Sequence, residues 1–121
     1  MFIMKLRNLP SVVKHHGQTA YHNVNNKIPC FYVIVPDDVD DIDCHGGVTF
    51  GDYESCEDDD GEVYEFGERE YEVPGHEHVE VPEGYHVLGW DYAHCDDDDL
   101  TDEEIIADVK ETLELLECKT L

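Results

Sequence analysis

Two short segments, far apart in the chain, contain residue types that bind metal ions. Their potential ligands are Cys44 and His45 in the first segment, and Asp91, His94 and Cys95 in the second. Thiolate, neutral imidazole and carboxylate are groups that Zn²⁺ accepts in tetrahedral sites. Gly46 and Gly47 follow the first pair, and they can bend the chain so that His45 turns toward the second segment. Two histidines and an aspartate at linked turns favour a metal site over ordinary hydrogen-bonded histidines.

Two other histidine pairs could also chelate an ion. His76 and His78 lie two residues apart, on one face of a strand if that segment is extended. We favour the alternative that they are surface histidines that neutralise an acidic patch. His15 and His16 form a weaker candidate of the same kind.

Apolar segments predict the strands that position these candidates. Phe31–Pro36 is a continuous β-branched and aromatic run that ends at a proline, and Tyr85–Ala93 is a second such run. A shorter strand, Val48–Phe50, is expected directly after the glycine turn. Between them, acidic and apolar residues alternate, and in one unbroken register Val63, Tyr71 and Val73 would share a face. Gly67 interrupts that register and suggests a hairpin turn or bulge.

The C-terminal region predicts an amphipathic helix. Thr101 followed three residues later by Glu104 has the pattern of a capping box. The apolar residues that follow have helical spacing and form one stripe: Ile105, Val109, Leu113 and Leu116. The expected fold class is therefore α+β, with a small antiparallel or mixed β-sheet and a C-terminal amphipathic helix packed on one face.

The length of 121 residues suits a single domain. We expect three regions within it: a poorly defined N-terminal arm or hairpin (1–30), a β-rich acidic body (31–100) and the C-terminal helix (101–118). No segment has the ~18 consecutive apolar residues of a spanning helix, and the N-terminus lacks the pattern of a signal peptide. These features predict a cytoplasmic protein, in which the five cysteines are reduced.

The charge of the chain is extreme and unevenly distributed. The chain has 31 acidic and seven basic residues, a formal net charge of -24. Residues 1–36 contain no Asp or Glu, so every acid lies in the remainder. Such a field repels nucleic acid directly and attracts basic surfaces, with a strong dependence on salt.

Two acidic runs are the expected contacts with a basic partner. They comprise Glu57, Asp58, Asp59 and Asp60 in one loop, and Asp96, Asp97, Asp98 and Asp99 before the helix. Aromatic residues could anchor such a partner, although each is as well suited to the core. The candidates are Tyr64, Phe66, Tyr71 and Tyr85.

The two ligand-bearing segments resemble motifs of a family of small phage-encoded proteins. The matching residues are Asp43-Cys44-His45-Gly46-Gly47-Val48-Thr49-Phe50, and Gly89-Trp90-Asp91-Tyr92-Ala93-His94 together with Asp97. The resemblance covers roughly residues 31–118, whereas residues 1–30 and the acidic insertion 57–83 match poorly. The family includes an acidic, zinc-containing anti-CRISPR protein that blocks the RNA-guided DNA nuclease of type II systems.

The resemblance implies a non-catalytic inhibitor with a structural zinc ion, acting in the cytoplasm of the bacterial host. It implies His45, Asp91 and His94 as ligands, with Asp97, Cys44, Cys95 or a water as the fourth. The implied partner is the type II nuclease, which holds nucleic acid in positively charged channels. We expect no direct nucleic-acid binding, no membrane, and a monomer or weak homodimer. The alternatives are a DNA mimic that inhibits another host nucleic-acid enzyme, and a metal-dependent hydrolase that activates water at an open position.

Overall fold

The structure is a computed structural model that describes residues 8–39, 41–51, 54–93 and 99–116. Its strands are β1 (Val12–His15), β2 (Gln18–His22), β3 (Cys30–Pro36), β4 (Glu54–Glu57), β5 (Val63–Phe66) and β6 (Tyr85–Asp91), and its helix is α1 (Asp102–Leu115). Four strands form an antiparallel sheet in the order β1-β2-β3-β6, and β4 and β5 form a separate two-stranded ribbon. The helix packs on one face of the four-stranded sheet, which confirms the predicted α+β fold.

Strand β3 lies inside the sheet and β6 is an edge strand, and both faces of each are covered. Alternate residues face the helix, among them Phe31, Val33, Leu88 and Trp90. The intervening residues Tyr32, Ile34 and Val87 belong to a second apolar cluster on the opposite face, together with Val73 from the segment between β5 and β6. Burial on both faces explains why these two strands are continuous apolar runs rather than alternating ones.

The predicted start of the helix is confirmed. The side chain of Thr101 accepts a hydrogen bond from the Glu104 amide at 3.2 Å, and the Glu104 carboxylate accepts one from the Thr101 amide at 3.1 Å. These reciprocal bonds satisfy amides that have no partner within the helix. All four residues of the predicted apolar stripe are buried in the cluster on the helix side of the sheet.

The N-terminal segment contains a tight hairpin. Strands β1 and β2 are joined by the two residues His16 and Gly17, whose φ angles are 52° and 74°. Two successive positive φ angles are those of a type I′ turn, whose twist suits a hairpin. The hairpin places the side chains of Val13 and Ala20 in the core beside the helix.

Two expectations about the strands are wrong. Val48–Phe50 is not a strand, and only Phe50 pairs with β6, as an isolated bridge to Gly89. Val63 is 69% exposed whereas Val73 is fully buried, so the two do not share a face. Gly67, with a φ angle of 70°, follows the end of β5 and interrupts the register that the alternation assumes.

Within the described ranges, no helix is long and apolar enough to cross a membrane.

Candidate functional site

The turn that contains Cys44 and His45 faces helix α1 across two adjoining clefts. One cleft, of about 240 Å³, is lined by Asp43, Cys44, His45, Asp108, Glu111, Thr112 and Leu115. The other, of about 350 Å³, shares His45, Asp108 and Glu111 with it. The walls are rich in carboxylates, so the region is suited to a cation or a basic side chain rather than to an anion.

Behind His45 lies a hydrogen-bonded chain that joins β6 to the helix. The imidazole stacks on the Tyr92 ring, with centroids 4.7 Å apart and planes 17° from parallel. The Tyr92 hydroxyl accepts from the Trp90 indole N–H at 3.2 Å and donates to the Asp108 carboxylate at 2.6 Å. Burial and the bond to Asp108 raise the pKa of Tyr92 far above its usual value, so the phenol remains a neutral donor. This chain fixes the ring on which His45 rests.

The Cys44 thiol beside this chain is not activated. Burial, followed by the nearby charges of Asp41, Asp108 and Asp43, raises the pKa of Cys44 to about 12. A reactive cysteine needs the opposite environment, with positive charges that favour the thiolate. Cys44 therefore remains protonated at neutral pH and is a poor nucleophile.

Asp91 and Tyr92 lie on opposite faces at the end of β6. Asp91 lies opposite Cys30 in the β3–β6 register, on the face of the second apolar cluster, whereas its neighbour Tyr92 is buried on the helix face. Its carboxylate accepts from the Thr49 hydroxyl at 3.0 Å and from the Ala93 amide at 3.1 Å. These bonds engage both carboxylate oxygens of Asp91, and its predicted role as a metal ligand beside His45 stays a prediction.

The two sequence motifs nevertheless meet in the fold. The amides of Thr49 and Phe50 both donate to the Gly89 carbonyl, at 2.9 and 3.2 Å, and the Gly89 amide returns a bond to Phe50 at 3.0 Å. A side chain at Gly89 would place its Cβ 2.5 Å from a ring carbon of Tyr32. A glycine is therefore required where the segment after the His45 turn docks on β6.

The remaining predicted ligands, His94, Cys95 and Asp97, lie outside the described residues, as do Asp96 and Asp98. The zinc site that includes them stays a prediction. The predicted acidic contacts Glu57, Asp58, Asp59, Asp60 and Asp99 are all exposed.

The histidine pair His76 and His78 is not a surface pair, contrary to the favoured interpretation. His76 is buried, and its Nε2 lies 2.7 Å from the carbonyl oxygen of His22, whereas His78 is exposed. The ring centroids of His76 and His78 are 6.0 Å apart. His76 therefore has a structural role that ties its turn to the end of β2.

A different group of side chains could hold a metal ion. His15, His16 and Glu114 each offer one ligand atom, and these atoms all lie within 4.8 Å of one another. The His15 Nε2 is 2.6 Å and the His16 Nε2 is 3.6 Å from the same carboxylate oxygen of Glu114. The hydrogen bond with His15 lowers the pKa of Glu114, which keeps this exposed carboxylate ionised.

Sequence reasoning named the two histidines of this group but missed Glu114. The sequence contains a signal for it, because Glu114 follows Leu113 of the apolar stripe and so must point away from the stripe's centre. The sequence does not show that the end of the hairpin packs beside the last turn of α1, because that packing depends on contacts between residues 99 positions apart.

Comparison with protein-family models, with curated protein sequences and with solved structures gave no match.

Proposed function

We propose that this protein is a non-catalytic inhibitor that binds the positively charged nucleic-acid channel of the type II RNA-guided DNA nuclease in the cytoplasm of the bacterial host. The observation that carries the proposal is the charge density along α1. The helix contains six carboxylates in 14 residues. At about 1.5 Å per residue this is one negative charge per roughly 3.5 Å, close to the spacing of ~3.4 Å along one strand of B-DNA.

The carboxylates of the helix are at least partly exposed, although Asp108 accepts from the Tyr92 hydroxyl and Glu114 pairs with His15. Glu103, Glu104, Glu111 and Glu114 are exposed, and Asp102 and Asp108 are half-exposed. Lys110 is the one basic residue within α1. A channel that binds a nucleic-acid backbone through lysine and arginine side chains would therefore meet a comparable row of charges on this helix.

The loop between β4 and β5 provides a second acidic surface, and it is ordered. The Asp58 side chain accepts hydrogen bonds from the amides of Asp60 and Glu62, both at 2.9 Å. Asp58 thus stabilises the turn, and Asp59 and Asp60 are exposed on it, which reduces the cost of ordering them on binding. Tyr64 on the adjoining strand is 43% exposed and Tyr71 is 55% exposed, which suits both as aromatic anchors.

Binding of charge variants to the purified nuclease tests this proposal. The helix variant is Glu104→Gln with Glu111→Gln, because glutamine preserves both helix propensity and the capping box. The control is Glu77→Gln with Glu80→Gln, two exposed acids that flank Val79 on the face opposite the helix. Both variants have the same net charge, so a difference between them reports position rather than total charge.

In about 0.1 M salt the helix variant should bind at least tenfold more weakly than the wild type, while the control should change by less than about threefold, because exposed charges more than ~10 Å apart are screened at that ionic strength. Equal weakening of the two variants would refute the helix as the contact surface. Absence of any complex between the wild type and the nuclease at low salt would refute the choice of target, and a pull-down on host lysate would then test the alternative of another nucleic-acid enzyme.

We also propose that a structural zinc ion stabilises this fold. A small domain gains much of its stability from such an ion, because binding is coupled to folding. Zinc content by elemental analysis, together with the free energy of unfolding before and after chelation, tests this part independently of the nuclease. A zinc-free protein whose stability zinc does not change would refute it.

A further inference from the structure

We propose that His15, His16 and Glu114 form a surface site for a divalent transition-metal ion of the zinc type, which cross-links the β1–β2 hairpin to the last turn of α1. This inference rests on the proposed zinc ion only for the choice of metal, and it is independent of nuclease binding. Two imidazoles and one carboxylate supply borderline ligands suited to Zn²⁺, and a water molecule can occupy the fourth position.

The backbone of the hairpin turn brings the two histidines together. Neighbouring residues within a strand would point to opposite faces. His16, however, lies in the left-handed region with a φ angle of 52°, at the first turn position, and its ring centroid is only 4.3 Å from that of His15. Asparagine, aspartate and glycine are preferred at this turn position. Histidine also tolerates this region, and here the positive φ angle places the imidazole of His16 beside that of His15.

The distances fit a metal ion with a small adjustment. Ligand atoms about 2.0–2.1 Å from a tetrahedral zinc ion lie roughly 3.3 Å from one another. The observed separation between the His16 Nε2 and the Glu114 Oε1 is 3.6 Å, and that between the His15 Nε2 and the same oxygen is 2.6 Å. The shorter contact is a hydrogen bond that the ion would replace. Because Glu114 is exposed, its side chain can make the shift of up to roughly 0.7 Å that this exchange requires.

The end of the helix favours a cation at this point. The last turn of α1 contains no basic residue. Its free carbonyls carry the negative end of the helix dipole, which a positive charge stabilises. A metal ion bound to Glu114 would supply that charge and would also reduce the repulsion within a chain of net charge -24.

Zinc binding by single-site variants tests the location. His16→Asn removes one ligand while keeping a residue that the type I′ turn favours, so the hairpin should still fold. Glu114→Gln removes the carboxylate without changing the length of the side chain. His78→Asn is the control, because His78 is an exposed histidine far along the chain from both elements. Affinity is measured by competition with a chromophoric chelator, and folding of each variant is checked by circular dichroism.

We expect His16→Asn and Glu114→Gln each to weaken zinc binding by at least tenfold and to abolish the zinc-dependent protection of α1 amides from hydrogen exchange. The His78→Asn variant should behave as the wild type. If both ligand variants keep wild-type affinity while the wild type does bind zinc, the ion lies elsewhere and this site is refuted, although the proposed structural zinc survives. If the wild type binds no zinc, both proposals fail.

Discussion

Replacing Tyr92 by phenylalanine should measure the hydrogen-bonded chain that joins the sheet to the helix. The substitution removes one hydroxyl that serves two partners, Trp90 as donor and Asp108 as acceptor. Trp90 is 1% exposed, so its indole N–H would be left buried without a partner, which costs about 1–3 kcal/mol. Asp108 is half-exposed, so water can replace the hydrogen bond that it loses, and the cost at Asp108 is smaller than the cost at Trp90. The free energy of unfolding should therefore fall by about 2 kcal/mol.

Urea unfolding is the assay, followed both by far-ultraviolet circular dichroism and by the fluorescence of the single tryptophan. Tyr71→Phe is the matched control, because it removes a hydroxyl from a tyrosine that is 55% exposed and should change stability by less than ~0.5 kcal/mol. Asp108→Asn keeps an acceptor for the phenol and should cost less than Tyr92→Phe. A Tyr92→Phe variant as stable as the Tyr71→Phe control would show that the chain contributes nothing to the packing of α1.

Two further predictions concern the sheet. Gly89→Ala would place a Cβ 2.5 Å from the Tyr32 ring and 3.0 Å from the Cβ of Phe50. The free energy of unfolding, measured with urea, should therefore fall by about 1–3 kcal/mol. Unchanged stability would contradict this close approach. Burial lowers the pKa of His22 in the folded chain from its usual 6.5. As the pH falls below about 6.5, His22 therefore binds a proton in the unfolded chain before it does so in the folded chain, and the free energy of unfolding decreases. His22→Gln should therefore lose less stability than the wild type between pH 7 and pH 5, and equal losses in the two proteins would refute the assignment.

The elements with strong local patterns were predictable from the sequence. The helix was predicted from Thr101 and Glu104 at its start and from an apolar stripe at helical spacing, all of which the structure contains. The strands β3 and β6 were predicted because apolar runs buried on both faces differ from any alternating pattern. These signals are local, and so they can be seen without knowledge of what the elements pack against.

The relations between distant residues were not predictable in the same way. The sequence suggested Asp91 as a partner of His45, but it did not show that Asp91 bonds to Thr49 or that the adjacent Tyr92 supports the ring of His45. The meeting of His15 with Glu114 depends on how the hairpin lies beside the helix end, and that packing has no counterpart in local sequence. The acidic residues of α1 are also visible in the sequence, but only the two acidic runs outside the helix were expected to contact a partner.

The most direct test of the proposed inhibition is the order of addition in a DNA-cleavage assay with the guide-loaded type II nuclease. If the acidic surface competes for the channel that holds nucleic acid, protein added before the target DNA should suppress cleavage, and protein added after the DNA is bound should suppress it far less. The inhibition should weaken as salt is raised, because the attraction between exposed charges is screened. Undiminished cleavage at low salt with the protein in excess and added first would contradict the account.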